Sequence, residues 1–254
     1  MVRPIEKTEA AWVPDYFGVN YLHLYQFPPE RTNPEIAFLV TELTKRLSPG
    51  ARVLDLACGQ GRHAIGLAQH EFSVVGLDYQ TNLLESAAHT AEEKGVTLEL
   101  VHGDMRQLPF ADSSFDAVIN MFTAFGYFSD EENFLVLQEV ARVLRPGGWF
   151  IIDVANRDSL IRQAQPRSWK RLPNGTLVIS EWNWDVPTGR YTHWQLLVNG
   201  QDQQQYHHSV RVYTCTEMKT MLCRAGLTVE SLHGGFQGEE LTLDAPRMIC
   251  IANK

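Results

Sequence analysis

The 254-residue sequence has no excess of basic charge, no long apolar run and no paired-cysteine motif. Lys and Arg number 22 against 30 Asp and Glu, a formal charge of -8, and no basic stripe stands out. A chain that grips a phosphate backbone would carry one, so no nucleic-acid partner is expected. No stretch approaches the ~18 apolar residues of a membrane span, and the opening MVRPIEKTEA has no apolar signal core. The expectation is a soluble, cytoplasmic protein without a membrane partner. Cys58, Cys215, Cys223 and Cys250 show no CxxC spacing and read as reduced packing residues rather than disulfides or metal ligands.

What is present is organised around residues 51–63, ARVLDLACGQGRH. Val53, Leu54 and Leu56 surround Asp55 in a short apolar run that breaks at Gly59-Gln60-Gly61 before a helical pattern opens. That is the pattern of a buried strand, a tight turn and a helix start. Glycines let such a turn bend sharply and admit a ligand to its amides. Ahead of it, residues 12–33 are rich in aromatics and broken by Pro14, Pro28 and Pro29, which excludes one long helix and makes residues 1–33 a candidate lid. A helix is expected from Pro34, capped by Asn33, until Ser48-Pro49-Gly50 stops it.

Beyond the turn, strands over 72–78, 97–102, 115–121 and 149–154 alternate with helices from Ala64, over 81–94 and over 131–144. The alternation predicts a doubly wound α/β fold, a mostly parallel sheet with helices on both faces, its core over 34–155. Between 156 and 213 three runs rich in β-branched and aromatic residues, 176–184, 190–198 and 205–213, are separated by residues 186–189 and by Asn199-Gly200, a strong hairpin signal. A small antiparallel sheet inserted after the fifth strand is expected. A helix over 216–225 and strands over 227–232 and 247–252 then complete a seven-stranded sheet within 214–254.

The glycine turn fits two ligand classes. Gly59, Gly61 and Ala64 satisfy the dinucleotide fingerprint, and Asp78 stands roughly 20 residues on, where an acid would hold a ribose hydroxyl. A nicotinamide or flavin site is one reading. Against it, Asp55 lies in the strand just before the turn, where a carboxylate repels a pyrophosphate and suits a cationic amino group. Asp104, in GDMRQLPF, and Asn120, in FDAVINMFTAFGYF, stand at further strand ends. Acids after the first three strands suit a ligand bearing an amine, a ribose and an adenine.

With VLDLACGQGRH, VVGLDYQ, GDMRQLPF, FDAVINMFTAFGYF and LRPGGWFIIDV in this order, the chain resembles the class I S-adenosylmethionine-dependent methyltransferases over roughly residues 12–254. The resemblance implies a Rossmann-like fold and S-adenosylmethionine as cofactor. It implies that Ala57, Gly59 and Gly61 face the methionine part, and Asp55 is expected at the cofactor with them. It places Asp78, with Tyr79 beside it, at the ribose hydroxyls, Asp104 and Met105 around the adenine, and Asn120 and Met121 near the methionine moiety. YLHLYQFPPERT is also similar to the lid of glycine N-methyltransferase, which implies that Arg31 pairs with the cofactor carboxylate and that Tyr16, Tyr21 and Tyr25 cover the sulfonium region. The inserted sheet resembles that of bacterial small-molecule N-methyltransferases.

Methyl transfer from a sulfonium is an in-line displacement, served mainly by holding acceptor and methyl group in line in a dry pocket. Ring faces attract the sulfonium charge, and no metal or protein nucleophile is required. An amine acceptor must be presented neutral, whereas a hydroxyl acceptor depends more on a base. Candidate acceptor-side residues are Phe122, Phe125 and Tyr127 after the fourth strand, and His193, His207, His208, Arg211 and Tyr213 on the inserted sheet. Strand alternation sets His208 with Val210 and Val212 on one face and His207 with Ser209, Arg211 and Tyr213 on the other. Arg211 is a candidate clamp for a substrate carboxylate, and Arg62 and His63 are candidates to face the cofactor. The function expected is transfer of a methyl group to a small-molecule acceptor, an amine nitrogen before a hydroxyl or carbon, by a monomer or homodimer. A non-catalytic cofactor-binding protein and an enzyme acting on protein or RNA are the alternatives.

Overall fold

The computed structural model describes Tyr16, Phe17 and residues 27–254. Tyr21 and Tyr25 therefore lie outside the described residues. Its first helix, α1 (Pro29–Thr44), starts a turn earlier than expected: Pro28 is the extended cap, Pro29 opens the helix, and Pro34 lies inside it. Proline needs no N–H at a helix start, and the Pro29 ring supplies the helical φ there.

The strand β1 (Arg52–Leu56) is covered from Val53 to Leu56, as a central strand with helices on both faces must be. Alternation sends Val53 to one face, with Phe38 and Leu39 of α1 and Leu67 of α2 (Arg62–Ala68). It sends Leu54 and Leu56 to the other, against Val136, Leu137 and Val140 of the later helix. The sheet continues with β2 (Ser73–Asp78), the helix α3 (Thr81–Glu93), β3 (Glu99–His102), β4 (Phe115–Asn120), α4 (Asp130–Val143) and β5 (Leu144–Ala155). The β1, β2, β3, β4 and β5 pairings are all parallel.

The insertion contains more than expected. After α5 (Arg157–Gln163) come four antiparallel strands, β6 (Arg167–Arg171), β7 (Leu177–Asp185), β8 (Arg190–Asn199) and β9 (Asp202–Arg211), in that spatial order. The additional strand β6 is exposed at every residue; an edge strand facing water on both sides leaves no alternation to read. The Asn199-Gly200 hairpin forms as expected, Asn199 pairing with Asp202. The chain then returns through α6 (Cys215–Arg224), β10 (Thr228–His233) and β11 (Arg247–Asn253), giving the order β10-β11-β5-β4-β1-β2-β3 with β11 antiparallel to both neighbours. The seven-stranded, doubly wound architecture is the one expected. Cys58 and Cys250 pack inside, Cys215 packs partly buried against the core, and Cys223 is exposed. No described helix is long and apolar enough to cross a membrane.

The inserted sheet is stapled to the loop after β4. The Gly126 carbonyl accepts from Arg211 N at 2.8 Å, and the Arg190 guanidinium donates to the Tyr127 and Phe128 carbonyls at 3.1 and 3.0 Å. Gly126 has φ +103, and a Cβ there would run into the Arg211 carbonyl. Gly126→Ala is expected to lose ~2–4 kcal/mol of stability in thermal denaturation through strain and overlap. Gly147→Ala, at φ +76 in open space, should lose only about 1 kcal/mol.

Candidate active site

In parallel sheets the loops at the carboxyl ends of the strands form the ligand crevice. Here those loops and the inserted sheet enclose a cavity of about 400 Å³, within the range of small-molecule sites. Its wall brings together Ala57, Gly59, Asp78, Tyr79, Asp104, Met105 and Met121 from the expected cofactor side. From the expected acceptor side it includes Tyr16, Tyr127 and His208, with Phe122, Arg62 and His63 also in the wall.

The two turn glycines have different work. Gly59, at φ +56, would place a Cβ in open space, so its backbone borders the cavity. Gly61, at φ +75, would put a Cβ 2.9 Å from Ala87 Cβ and lies outside the wall; it lets α3 approach. Ala57 holds φ 60 without being glycine, a strained conformation kept by the surrounding turn. Asp78 fastens that turn: Oδ2 accepts from Gly59 N at 2.7 Å and Oδ1 from Gln80 N at 2.9 Å. Burial pushes its carboxyl above the usual range despite those bonds. Each oxygen keeps a lone pair for a hydroxyl donor. Asp104 is bound by Arg106, Nη2 to Oδ2 at 2.7 Å. Burial would raise its carboxyl, but the Arg106 hydrogen bonds and charge hold it below the usual range. Arg106 in turn donates to Glu132 at 2.5 Å and covers the Phe128 ring at 4.3 Å.

Several expected residues are placed elsewhere. Asp55 is outside the wall and accepts from Ala64 N at 3.0 Å through Oδ2; it ties the start of α2 to β1. Asn120 donates from Nδ2 to the Leu56 carbonyl at 2.9 Å and ties β4 to β1. Arg31 is half-exposed, 3.9 Å from Glu35, and outside the wall. Arg211 lies outside the cavity wall: its guanidinium bonds Glu217 at 2.7 Å and Asp130 at 3.2 Å, and so it staples the insertion. Phe125 is a core ring packed 5.7 Å from Tyr213, outside the wall. His207 lies on the opposite face, against Trp194 at 4.0 Å, whereas Val210 and Val212 share the wall with His208 as alternation requires.

Sequence reasoning missed two buried ion clusters. Asp153 in β5 accepts from Arg247 Nε at 2.6 Å and Nη2 at 2.7 Å, and from Phe122 N at 2.9 Å. An acid inside the apolar run FIIDV carries the same signal that marked Asp55, and could have been found by it. Glu35 of α1 binds Arg62 and His63, His63 Nε2 lying 2.8 Å from Glu35 Oε2. A buried acid on an amphipathic helix leaves no such mark. Burial would raise the Glu35 carboxyl, yet the His63 hydrogen bond and the Arg62 charge hold it low. Burial, with the Arg62 charge, pushes the His63 imidazolium below its usual range against the pull of Glu35. The wall's inserted-sheet side is made of rings: Trp182 stacks on Tyr191 at 4.7 Å, and Tyr16 lies 4.4 Å from His208.

Burial pushes Asp55 up to about 7, with Arg62 and the Ala64 amide opposing. A carboxyl with a raised folded-state pKa costs stability as the unfolded chain ionises first, from about pH 4 to 7. Asp55→Asn is therefore expected to gain stability relative to the parent across that window, by up to ~4 kcal/mol above pH 7. Urea denaturation at pH 4.5 and pH 8 checks it; an unchanged difference between the two pH values would refute the assignment.

The fold and cavity are accompanied by three likenesses. Residues 53–148 match the methyltransferase domain family. Demethylmenaquinone methyltransferase of Geobacillus kaustophilus is 39% identical over 103 residues, 39% of this chain and 43% of that protein. Its counterpart in Listeria welshimeri is 37% identical over 107 residues, 41% and 44% of the two chains. The matches thus span less than half the length of these curated relatives. Among solved structures, the CcbJ methyltransferase of Streptomyces caelestis superposes with a TM-score of 0.79 at 18% identity, covering 98% of each chain. CalS10 of Micromonospora echinaspora, an amino pentose methyltransferase with its cofactor bound, superposes with a TM-score of 0.68 at 19% identity over 100% of this chain and 99% of that one. Motif order, strand order and domain match agree: residues 53–148 match the methyltransferase domain family, within a fold that solved methyltransferases share.

Proposed function

We propose that the protein transfers a methyl group from S-adenosylmethionine to a small-molecule acceptor, and that the acceptor atom is an amine nitrogen. The residues fit this cofactor: Asp78 keeps lone pairs for ribose hydroxyls, Asp104 lies at the next strand end with Met105, and Gly59 leaves room beside the turn. When bound, the cofactor supplies an electrophilic methyl group on a sulfonium. The protein's part is to position, to desolvate and to leave the acceptor its lone pair.

The amine reading is carried by the chemistry of the ring-lined wall. Tyr16, Tyr127, Trp182, Tyr191, His208 and Val210 contribute no charged side chain to it. Burial and His207 push the His208 imidazolium down to about 3, so the ring is neutral at physiological pH. An imidazole that weak as a base does not take a proton from a hydroxyl, whereas a neutral amine needs none removed before attack. An uncharged aromatic wall also disfavours a bare ammonium through desolvation, shifting a bound amine to its reactive form. The same rings stack on flat hydrocarbon surfaces. That supports a second reading, methylation at carbon or oxygen of a ring compound, the relatives named above being demethylmenaquinone methyltransferases.

Calorimetry with S-adenosylhomocysteine followed by radiolabelled methyl transfer to matched amine and alcohol pairs tests the proposal. The amine of each pair is expected to be the acceptor, with log kcat/KM rising at a slope near 1 below the amine's own pKa and no inflection near pH 6.5. Preference for the alcohols, or an inflection at histidine pH, would overturn the nitrogen assignment. Tight cofactor binding without transfer to any member would support a binding protein instead.

A further inference from the structure

Arg62 is the cationic side chain of the cavity wall whose partners are incomplete. Its Nη1 is engaged by Glu35 of α1, while Nη2 is buried and has no hydrogen-bond partner. The side chain is 12% exposed, against 48% for Arg31. Its guanidinium is held between two rings, the Cζ atom 4.6 Å from the centroid of Phe27 and 5.3 Å from that of Phe122, and both rings belong to the wall. Burying one guanidinium N–H edge without an acceptor costs free energy comparable to a lost hydrogen bond, and more for a charged group.

Charge points the same way. Around Phe27 and Phe122 stand three guanidiniums: Arg247, and the pair Arg31 and Arg62. The carboxylate shared between them is Glu35, which is held ionised. His63, the remaining group on Glu35, has its imidazolium pushed below the usual range by burial. Asp153 beside them is already taken by Arg247 through two hydrogen bonds. Guanidiniums thus converge at the end of the cavity formed by the β1 and β4 loops, a setting that suits an anion.

We propose that Arg62, positioned by Glu35 and the Phe27–Phe122 ring pair, binds the carboxylate of the cofactor's methionine moiety through Nη2. The role expected for Arg31 passes to a residue inside the wall. Glu35 is then a positioning residue: it fixes Nη1, so that the free edge is presented with little side-chain entropy left to lose. Because Glu35 sits on α1, whose first residues from Pro29 belong to the segment expected as a lid, the carboxylate site and the end of that segment share one helix.

The inference rests on the S-adenosylmethionine reading, and the test separates the two. Calorimetry would compare S-adenosylhomocysteine with S-adenosyl-3-thiopropylamine, the same nucleoside lacking the carboxylate, on the full chain and on Arg62→Met, Arg62→Lys and Arg31→Met. Charge-assisted hydrogen bonds to carboxylates are the strong ones, so Arg62→Met should weaken S-adenosylhomocysteine by ~10–100-fold while changing the thiopropylamine less than ~3-fold. Arg62→Lys should fall between, and would carry the comparison if the Met variant did not fold. Equal loss for both nucleosides would show a merely structural role, and selective loss in Arg31→Met alone would return the carboxylate to Arg31; either overturns the assignment. Failure of the unsubstituted chain to bind either nucleoside would instead sink the cofactor reading itself.

Discussion

Everything at the site depends on two buried carboxylates that hold one turn. Asp55 accepts the Ala64 amide and Asp78 accepts the Gly59 amide, so the chain between β1 and α2 is tied at both ends to neighbouring parallel strands. The turn itself is strained, with Ala57, Gly59 and Gly61 all at positive φ. Such a backbone persists only where its surroundings over-determine it. Both acids are pushed up by burial; the turn is held at the cost of keeping carboxyls out of water.

Around that turn the molecule resolves its buried charge in clusters rather than in isolated pairs. Glu35 with Arg62 and His63, Asp153 with Arg247, and Asp104 with Arg106 and Glu132 each line or back a different part of the cavity. A buried ion pair adds little net stability because desolvation offsets the attraction, whereas removing one partner is costly. These clusters are therefore better understood as fixing the positions of wall residues than as strengthening the fold. Arg247 shows it well: its partner Asp153 also receives the Phe122 amide, so one acid sets both a cationic and an aromatic wall residue.

The inserted sheet works differently. Its inner face offers rings and a neutral imidazole, and its attachment to the core runs through Arg190 on the Tyr127 and Phe128 carbonyls and through Arg211 on Asp130 and Glu217. The arginine that sequence reasoning set at the acceptor is thus part of the hinge-like base of the sheet. A strand's alternation identifies the face a residue shares; it does not identify which neighbour from a distant helix will be waiting there. His208 was assigned to a face by that rule and lies in the wall. Arg211 was assigned to the other face, where α4 and α6 supply its two carboxylates.

The sequence by itself determined the alternation of strands and helices, the glycine turn, the acids at the ends of the first three strands and the Asn-Gly hairpin. Each is a local signal, written in apolar periodicity or in backbone conformations that few residues tolerate. The tertiary structure alone decided which acid borders the cavity and which lies behind it. Asp55 and Asp78 look alike in sequence, yet one lies behind the turn and the other in the wall. It also decided that Gly59 opens onto the cavity while Gly61 makes room for α3, and that Arg62 rather than Arg31 stands in the wall. These distinctions depend on contacts between residues far apart along the chain, such as Glu35 with Arg62 and Asp153 with Arg247. The energy of a buried charge depends on what folding brings beside it, and no local pattern records that.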